Sequence, residues 1–400
     1  MLLSLSLIFL TGLLFSGLCK KARLPGLLGM LISGILLGPY ALNWIDGSVL
    51  SISSELRRMA LILILMRAGL TLNLSDLKKA GRPAALMCFV PALFEIAGMV
   101  LLAPRLLGVS LLDAAIMGAV TAAVSPAVVV PKMIRLIEEG YGTEKGIPQM
   151  ILGGASVDDV FVIVLFTSFT GLAQGESVSA LRFLNIPISV FLGAAAGFLI
   201  GALLAEFFRR VHMRDTVKLL ILFSAAFLLD SAESALSTPI TFSALIAVMA
   251  MGTALLIRLP IASRRLSGKL NALWTAAEIL LFTLVGAGTD IRCALTFGGR
   301  AILLIFLALL FRMCGTALCL MKTRLTPKER LFCMLAYLPK ATVQAAIGGV
   351  PLAMGLPCGA IVLTVAVLAI LITAPLGAFL IDNTYKRFLT RKDGSYAQMD

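Results

Sequence analysis

Apolar runs of membrane-spanning length recur from one end of this chain to the other, and no other feature restricts its fold as much. A bilayer core offers the backbone no water. A crossing segment must therefore satisfy its own N–H and C=O groups, as a helix or within a closed barrel. A helix needs about twenty apolar residues to cross. We place about thirteen such helices, at 2–18, 24–40, 56–74, 83–103, 111–133, 148–171, 183–207, 216–231, 239–257, 272–290, 299–321, 329–350 and 358–381. Of the 400 residues, 60% are hydrophobic and 14% charged, which lies outside the range of soluble globular domains. The expected fold is an all-α polytopic membrane protein. The first 18 residues lack a basic leader and a small-x-small cleavage site, so they read as a first span rather than a signal peptide.

The net charge of +13 could suggest nucleic acid, but its distribution points to topology instead. Of 34 lysines and arginines, 25 fall in loops after odd-numbered spans or at the span ends bordering them, and six in the opposite loops or at their borders. Arg67, Arg312 and Lys340 lie in the interior of spans. Basic loops face the cytoplasm, which puts the N-terminus outside and the C-terminus inside, in the cell (inner) membrane. No nucleic-acid partner is expected; membrane lipid is, and no soluble regulatory domain is evident. The seven cysteines form no CxxC pair, and the single histidine, His212, lies in a basic loop. Neither a disulfide framework, a zinc site nor a His-based nucleophile follows. Catalytic residues and cofactors are therefore expected to be none, and the chain not an enzyme.

An internal repeat is also visible. "PGLLGMLISGILLG" (25–38) aligns with "PITFSALIAVMAMG" (239–252), and "RAGLTL" (67–72) resembles "GAGTDI" (286–291). By the charge count the first pair of segments runs in opposite directions, the pattern of inverted repeats in secondary transporters.

Charge inside a span costs about 2.5–3.5 kcal/mol per residue on insertion scales, so intramembrane charges are functional candidates. Those most firmly placed are Glu95, Asp158, Asp159, Arg312 and Lys340. Asp158 and Asp159 head an apolar run in "GGASVDDVFVIVLFTSF". Adjacent helical residues point about 100° apart, so both carboxylates can flank one cavity. Such a site takes a proton or a small cation and resists being empty and doubly ionised at low dielectric. Two spans in corresponding positions are broken by proline. "GAVTAAVSPAVVVPKM" breaks at Ser125-Pro126, and "AYLPKATVQAAIGGVP" at Pro339-Lys340. Broken helices expose backbone ends that coordinate ions. Thr121, Ser125, Thr342 and Gln344 lie beside these breaks.

The strings "GGASVDDV", "AVSPAVVVPKM", "YLPKATVQAAIGGVPLA", "LPGLLGMLISGILLGP" and "MRAGLTL" resemble the monovalent cation/proton antiporters of the paired-aspartate branch. They are most similar to the sodium/hydrogen exchanger 9B group and its bacterial relatives. The resemblance covers nearly the whole chain. It implies a scaffold and dimerisation unit at 1–82 and 213–296, a transport core at 83–172 and 297–382, a linker helix at 173–212 and a short cytoplasmic tail at 383–400. It further implies a homodimer and a crossing of the two broken helices. Asp159 matches the acid that binds the metal cargo, Na⁺ or Li⁺, with Asp158 its neighbour; Thr121 and Ser156 join them in the expected ion- and proton-binding set.

Arg312 matches a basic residue that many relatives carry as Lys. The resemblance pairs it with Glu95; alternatively it neutralises Asp158. An arginine stays protonated, so a mechanism in which a core lysine releases its proton is not open to Arg312. Many relatives place Asp before the first break, where this chain has Ser125, so the compensation of the broken ends is not evident from the sequence. Lys340 is read as structural, holding carbonyl ends, in preference to a part in coupling. The expected function is Na⁺ (or Li⁺)/H⁺ antiport by elevator-like alternating access. K⁺/H⁺ exchange on the same fold is the alternative, and a cation channel is the reading from a different class.

Overall fold

A computed structural model of the chain describes residues 1–22, 24–71, 74–174, 180–235 and 242–391. Among these the structure is helical, with no strand. In chain order the helices begin with α1 (Leu2–Lys21), α2 (Gly26–Leu37), α3 (Gly47–Ser51), α4 (Ser53–Thr71), α5 (Leu74–Met87) and α6 (Val90–Leu107). They continue with α7 (Leu111–Ala122), α8 (Pro126–Glu138), α9 (Ile147–Ala173), α10 (Ala180–Arg210), α11 (Asp215–Ala235) and α12 (Ala244–Arg258). The last are α13 (Pro260–Ala287), α14 (Ile291–Cys319), α15 (Pro327–Ala336), α16 (Thr342–Ile347), α17 (Val350–Ala353) and α18 (Gly359–Phe388). The start of the expected 239–257 span and the tail beyond residue 391 lie outside the described residues.

Seven helical stretches among the described residues are long and apolar enough to cross a membrane, and the chain is an integral membrane protein. Four further apolar helices are shorter. One is α2, whose 12 residues rise about 18 Å, less than a bilayer core. Another, Thr342–Ala353, begins at the second proline break.

The chain divides into two compact units. The first holds Gly47–Leu72 and Thr170–Leu281. Here α12 packs against α4, α10 and α11. Gly193, Gly197 and Gly201 recur every four residues on α10, and each lies against a backbone carbonyl at the N-terminus or along the length of α12. Small residues at this spacing let two helix backbones approach closely without water to drive them together. Arg58 of α4 clamps Asp230 of α11 through Nε at 2.8 and 2.9 Å.

The second unit holds Leu2–Asp46, Asn73–Phe169 and Phe282–Asp400. In it α6 lies between α7 and α14, while α18 packs on α7, α8, α14, α15, α16 and α17. Two of its helices begin on reciprocal caps: Ser110 with Asp113 at α7, and Thr326 with Glu329 at α15. Each such box satisfies two of the donors a helix start leaves free. Glu329 also accepts Lys145 Nζ at 2.8 and 2.9 Å. At the same end, Gly142 N donates to Thr390 O at 2.8 Å and Tyr385 Oη to Glu139 at 3.1 Å. These bonds tie the end of α18 to the turn that leads into α9.

Candidate functional site

The second unit carries both proline breaks. Helix α7 stops at Ala122, Ala123 turns extended, and α8 restarts at Pro126. Proline suits that restart, because the first helical N–H has no intrahelical partner anyway. The second break runs from Tyr337 to Ala341, between α15 and α16. The two breaks bond to each other: Ser125 N donates to Pro339 O at 2.8 Å. Pro339 also lies directly on Gly377 of α18, where a side chain would collide with its ring.

A helix that stops inside a bilayer strands its last carbonyls. Here side chains from other helices take them. Gln344 Nε2 donates to Ala123 O at 2.8 Å and to Thr121 O at 3.3 Å. Ala122 O accepts from Arg312 Nη1 and, at 3.3 Å, from Lys340 Nζ. Two cations thus sit at the negative end of the α7 dipole. The stranded donor Val124 N is taken by Asp158 Oδ2 at 2.8 Å. These contacts supply the compensation that Ser125 could not, and they come from residues far away in sequence.

Four charged groups converge beside this break. Arg312 of α14 reaches Glu95 of α6 through Nη1 at 2.9 Å and Asp158 of α9 through Nη2 at 3.1 Å. Lys340 Nζ meets Glu95 Oε2 at 2.5 Å. The two pairings offered for Arg312 are therefore not exclusive, because a guanidinium has donors enough for both. The Lys340–Glu95 contact was not expected from the sequence. All four side chains are at most 2% exposed. With two acids and two bases ionised, the cluster is neutral.

Asp159 stands outside that balance. It is 9% exposed, and no basic side chain pairs with it among the described residues. Its Oδ1 has no hydrogen-bond partner there, nor do Asp158 Oδ1, Ser125 Oγ, Thr342 Oγ1 and Gln344 Oε1. Buried acceptors normally find donors, and unmatched oxygens such as these are able to accept from a proton or to ligate a cation. Hard monovalent cations and protons take oxygen ligands. Thr121 Oγ1 donates back to Met117 O at 3.0 Å, which leaves its lone pairs open. The side chain of Ser156 lies outside the described residues.

Two neighbours escaped the sequence reading because neither carries charge. Tyr337 is fully buried with its ring 5.1 Å from the Arg312 guanidinium carbon. Gly154 lies one helical turn before Asp158 and faces Tyr337 Oη. The only sequence signal for them was position: Tyr337 flanks a break, and Gly154 shares the Asp158 face of α9.

The model of the family described as "Sodium/hydrogen exchanger, transmembrane" matches residues 5–383. Sodium/hydrogen exchanger 9B2 of Mus musculus is 35% identical over 390 residues, covering 92% of this chain and 69% of that protein. Sodium/hydrogen exchanger 9B1 of Homo sapiens is 32% identical over 390 residues, covering 92% and 73%. Among solved structures, the sodium proton antiporter MjNhaP1 of Methanocaldococcus jannaschii superposes with a TM-score of 0.84 at 20% identity, over 96% of this chain and 97% of that one. At that identity the likeness is one of fold.

Proposed function

Because this chain belongs to the sodium/hydrogen exchanger family, a family of transporters rather than enzymes, we propose that it exchanges Na⁺ or Li⁺ for H⁺ at Asp159, with Asp158 beside it. One observation carries the reading: Asp159 is the charge left over once Glu95, Asp158, Arg312 and Lys340 have neutralised one another. A bare carboxylate beside low-dielectric walls is costly. One proton or one monovalent cation removes that cost, and the two cannot occupy the site together. The loaded site can cross, and the empty one stalls. The unmatched oxygens of Asp158, Ser125, Thr342 and Gln344 supply ligands for a dehydrated cation, with Thr121 and Ser156 completing the set.

The movement we assign is elevator-like. A core of 83–172 and 297–382, with crossed broken helices, carries the ion past a scaffold of 1–82 and 213–296. The helix at 173–212 links them, the scaffold forms a homodimer, and about thirteen helices cross the membrane as two inverted repeats. The protein resides in the cell membrane with its N-terminus outside and its tail in the cytoplasm, as the basic loops argue.

Flux into proteoliposomes with Na⁺, Li⁺ or K⁺ offered singly tests this reading. Saturable, proton-coupled flux with Na⁺ or Li⁺ is the expected result. A response to K⁺ alone would select K⁺/H⁺ exchange, and cation flux without proton movement would select a channel.

Charge balance adds a second expectation. The site is neutral with one proton and equally neutral with one Na⁺, so exchange is one for one and carries no net charge. An imposed membrane potential should leave the steady Na⁺/H⁺ exchange rate unchanged in proteoliposomes. Acceleration by an inside-negative potential would require a second proton per cycle and a second carrier group.

A further inference from the structure

We infer that Tyr337 is a positioning residue for cation binding, which aims the Arg312 guanidinium so that Asp158 and Asp159 keep their geometry. The inference rests on the exchange reading above and extends it to a residue that touches neither ion nor proton.

Tyr337 holds Arg312 twice. Its carbonyl accepts Arg312 Nε at 2.6 Å, and its ring lies against the guanidinium at 5.1 Å. Fixing Nε and the guanidinium face fixes the plane of the fork. Nη1 then points at Glu95 and Nη2 at Asp158. A ring face attracts a desolvated cation through its quadrupole. Without that face the fork can tilt, and the 3.1 Å bond to Asp158 Oδ2 is the contact it loses most readily.

The ring is itself anchored. Tyr337 Oη donates to Met87 O at 3.1 Å, at the end of α5. Room for that hydroxyl depends on Gly154 of α9. A Cβ there would lie 2.6 Å from Tyr337 Oη and 2.9 Å from Met87 Cβ, but an ordinary 3.4 Å from Tyr337 Cζ. Gly154 and Asp158 are four residues apart, on one face of α9. The aspartate helix is thus keyed to the Tyr337 hydroxyl one turn away from the carboxylate, while the guanidinium that lies over the same ring bonds the carboxylate itself.

The test is Na⁺-driven proton flux by the full-length protein in proteoliposomes, resolved into apparent KM and maximal rate, with thermal stability in detergent measured in parallel. Tyr337→Leu removes the ring and is expected to raise the apparent KM for Na⁺ by about tenfold, with a smaller change in maximal rate. Tyr337→Phe restores the ring and should bring KM back near the wild-type value, with a lowered melting temperature from loss of the Met87 bond. Gly154→Ala pushes on the hydroxyl and should raise KM several-fold. Adding Tyr337→Phe to Gly154→Ala removes the closer clash at 2.6 Å and leaves the one with Met87 Cβ at 2.9 Å, so it should reverse part of that rise. The last pair keeps the test decisive even if the Leu variant does not fold. An unchanged KM in Tyr337→Leu, or a Gly154→Ala defect that Tyr337→Phe does not relieve, overturns the positioning role while wild-type exchange stands. No exchange by the wild-type protein overturns the functional reading and this inference together.

Discussion

Asp159→Asn should reduce Na⁺-driven proton flux to the level of protein-free vesicles while the protein remains as stable in detergent as the wild type. Asparagine cannot carry the exchanged proton, and its NH₂ group offers donors where a cation needs an anionic oxygen. No basic side chain among the described residues pairs with Asp159, so neutralising it strands no buried cation. The stability change should stay within about 1 kcal/mol. Asp158→Asn should behave differently. Asp158 holds Val124 N at 2.8 Å and Arg312 Nη2 at 3.1 Å, so its loss leaves a buried guanidinium short of charge. A cost of about 3–5 kcal/mol is expected, with a partial loss of transport. Thermal unfolding beside flux separates the two acids. Full exchange by Asp159→Asn would remove Asp159 from the site.

The other large effect falls on Glu95. It is 2% exposed and meets both Arg312 and Lys340. Glu95→Gln leaves two buried cations facing one remaining carboxylate of the cluster, at a cost of about 3–5 kcal/mol. Which second change repairs it depends on what each cation does besides. Lys340→Gln restores neutrality and gives up only the weak 3.3 Å bond to Ala122 O. Arg312→Gln also restores neutrality but removes three donors at once, those to Asp158, Ala122 O and Tyr337 O. Glu95→Gln with Lys340→Gln should therefore recover most of the lost stability, and Glu95→Gln with Arg312→Gln clearly less. Double-mutant cycles on unfolding in detergent measure both couplings. Couplings near zero for both pairs would show that the cluster does not act as one unit.

Much of this arrangement was legible before the fold was known, and the physical reason differs from residue to residue. Spanning helices announce themselves because lipid demands long apolar runs. Pro126 and Pro339 announce the breaks because proline cannot continue a helix hydrogen-bond ladder. Asp158, Asp159, Glu95, Arg312 and Lys340 stand out because charge in lipid is expensive. Connectivity was not legible. Arg312 lies 217 residues from Glu95 and 154 from Asp158, and sequence alone presented those partners as alternatives. Lys340 was read as a support for carbonyl ends, and it does touch Ala122 O, but its shortest contact is Glu95. Gln344 stood out as polar beside a break, yet nothing in the sequence said which carbonyls it would cap. Tyr337 and Gly154 gave no signal beyond their positions, since an aromatic ring and a missing side chain are ordinary inside a membrane helix.

The central claim is that a proton and a cation take turns on one carboxylate. Its most direct test is the apparent KM for Na⁺, taken from proton flux in proteoliposomes over about three pH units. Competition at a single site predicts that KM rises as pH falls, approaching about tenfold per unit on the acid side, while the maximal rate at saturating Na⁺ holds steady. A KM that stays flat across that range, with flux lost only through a falling maximal rate, would contradict it.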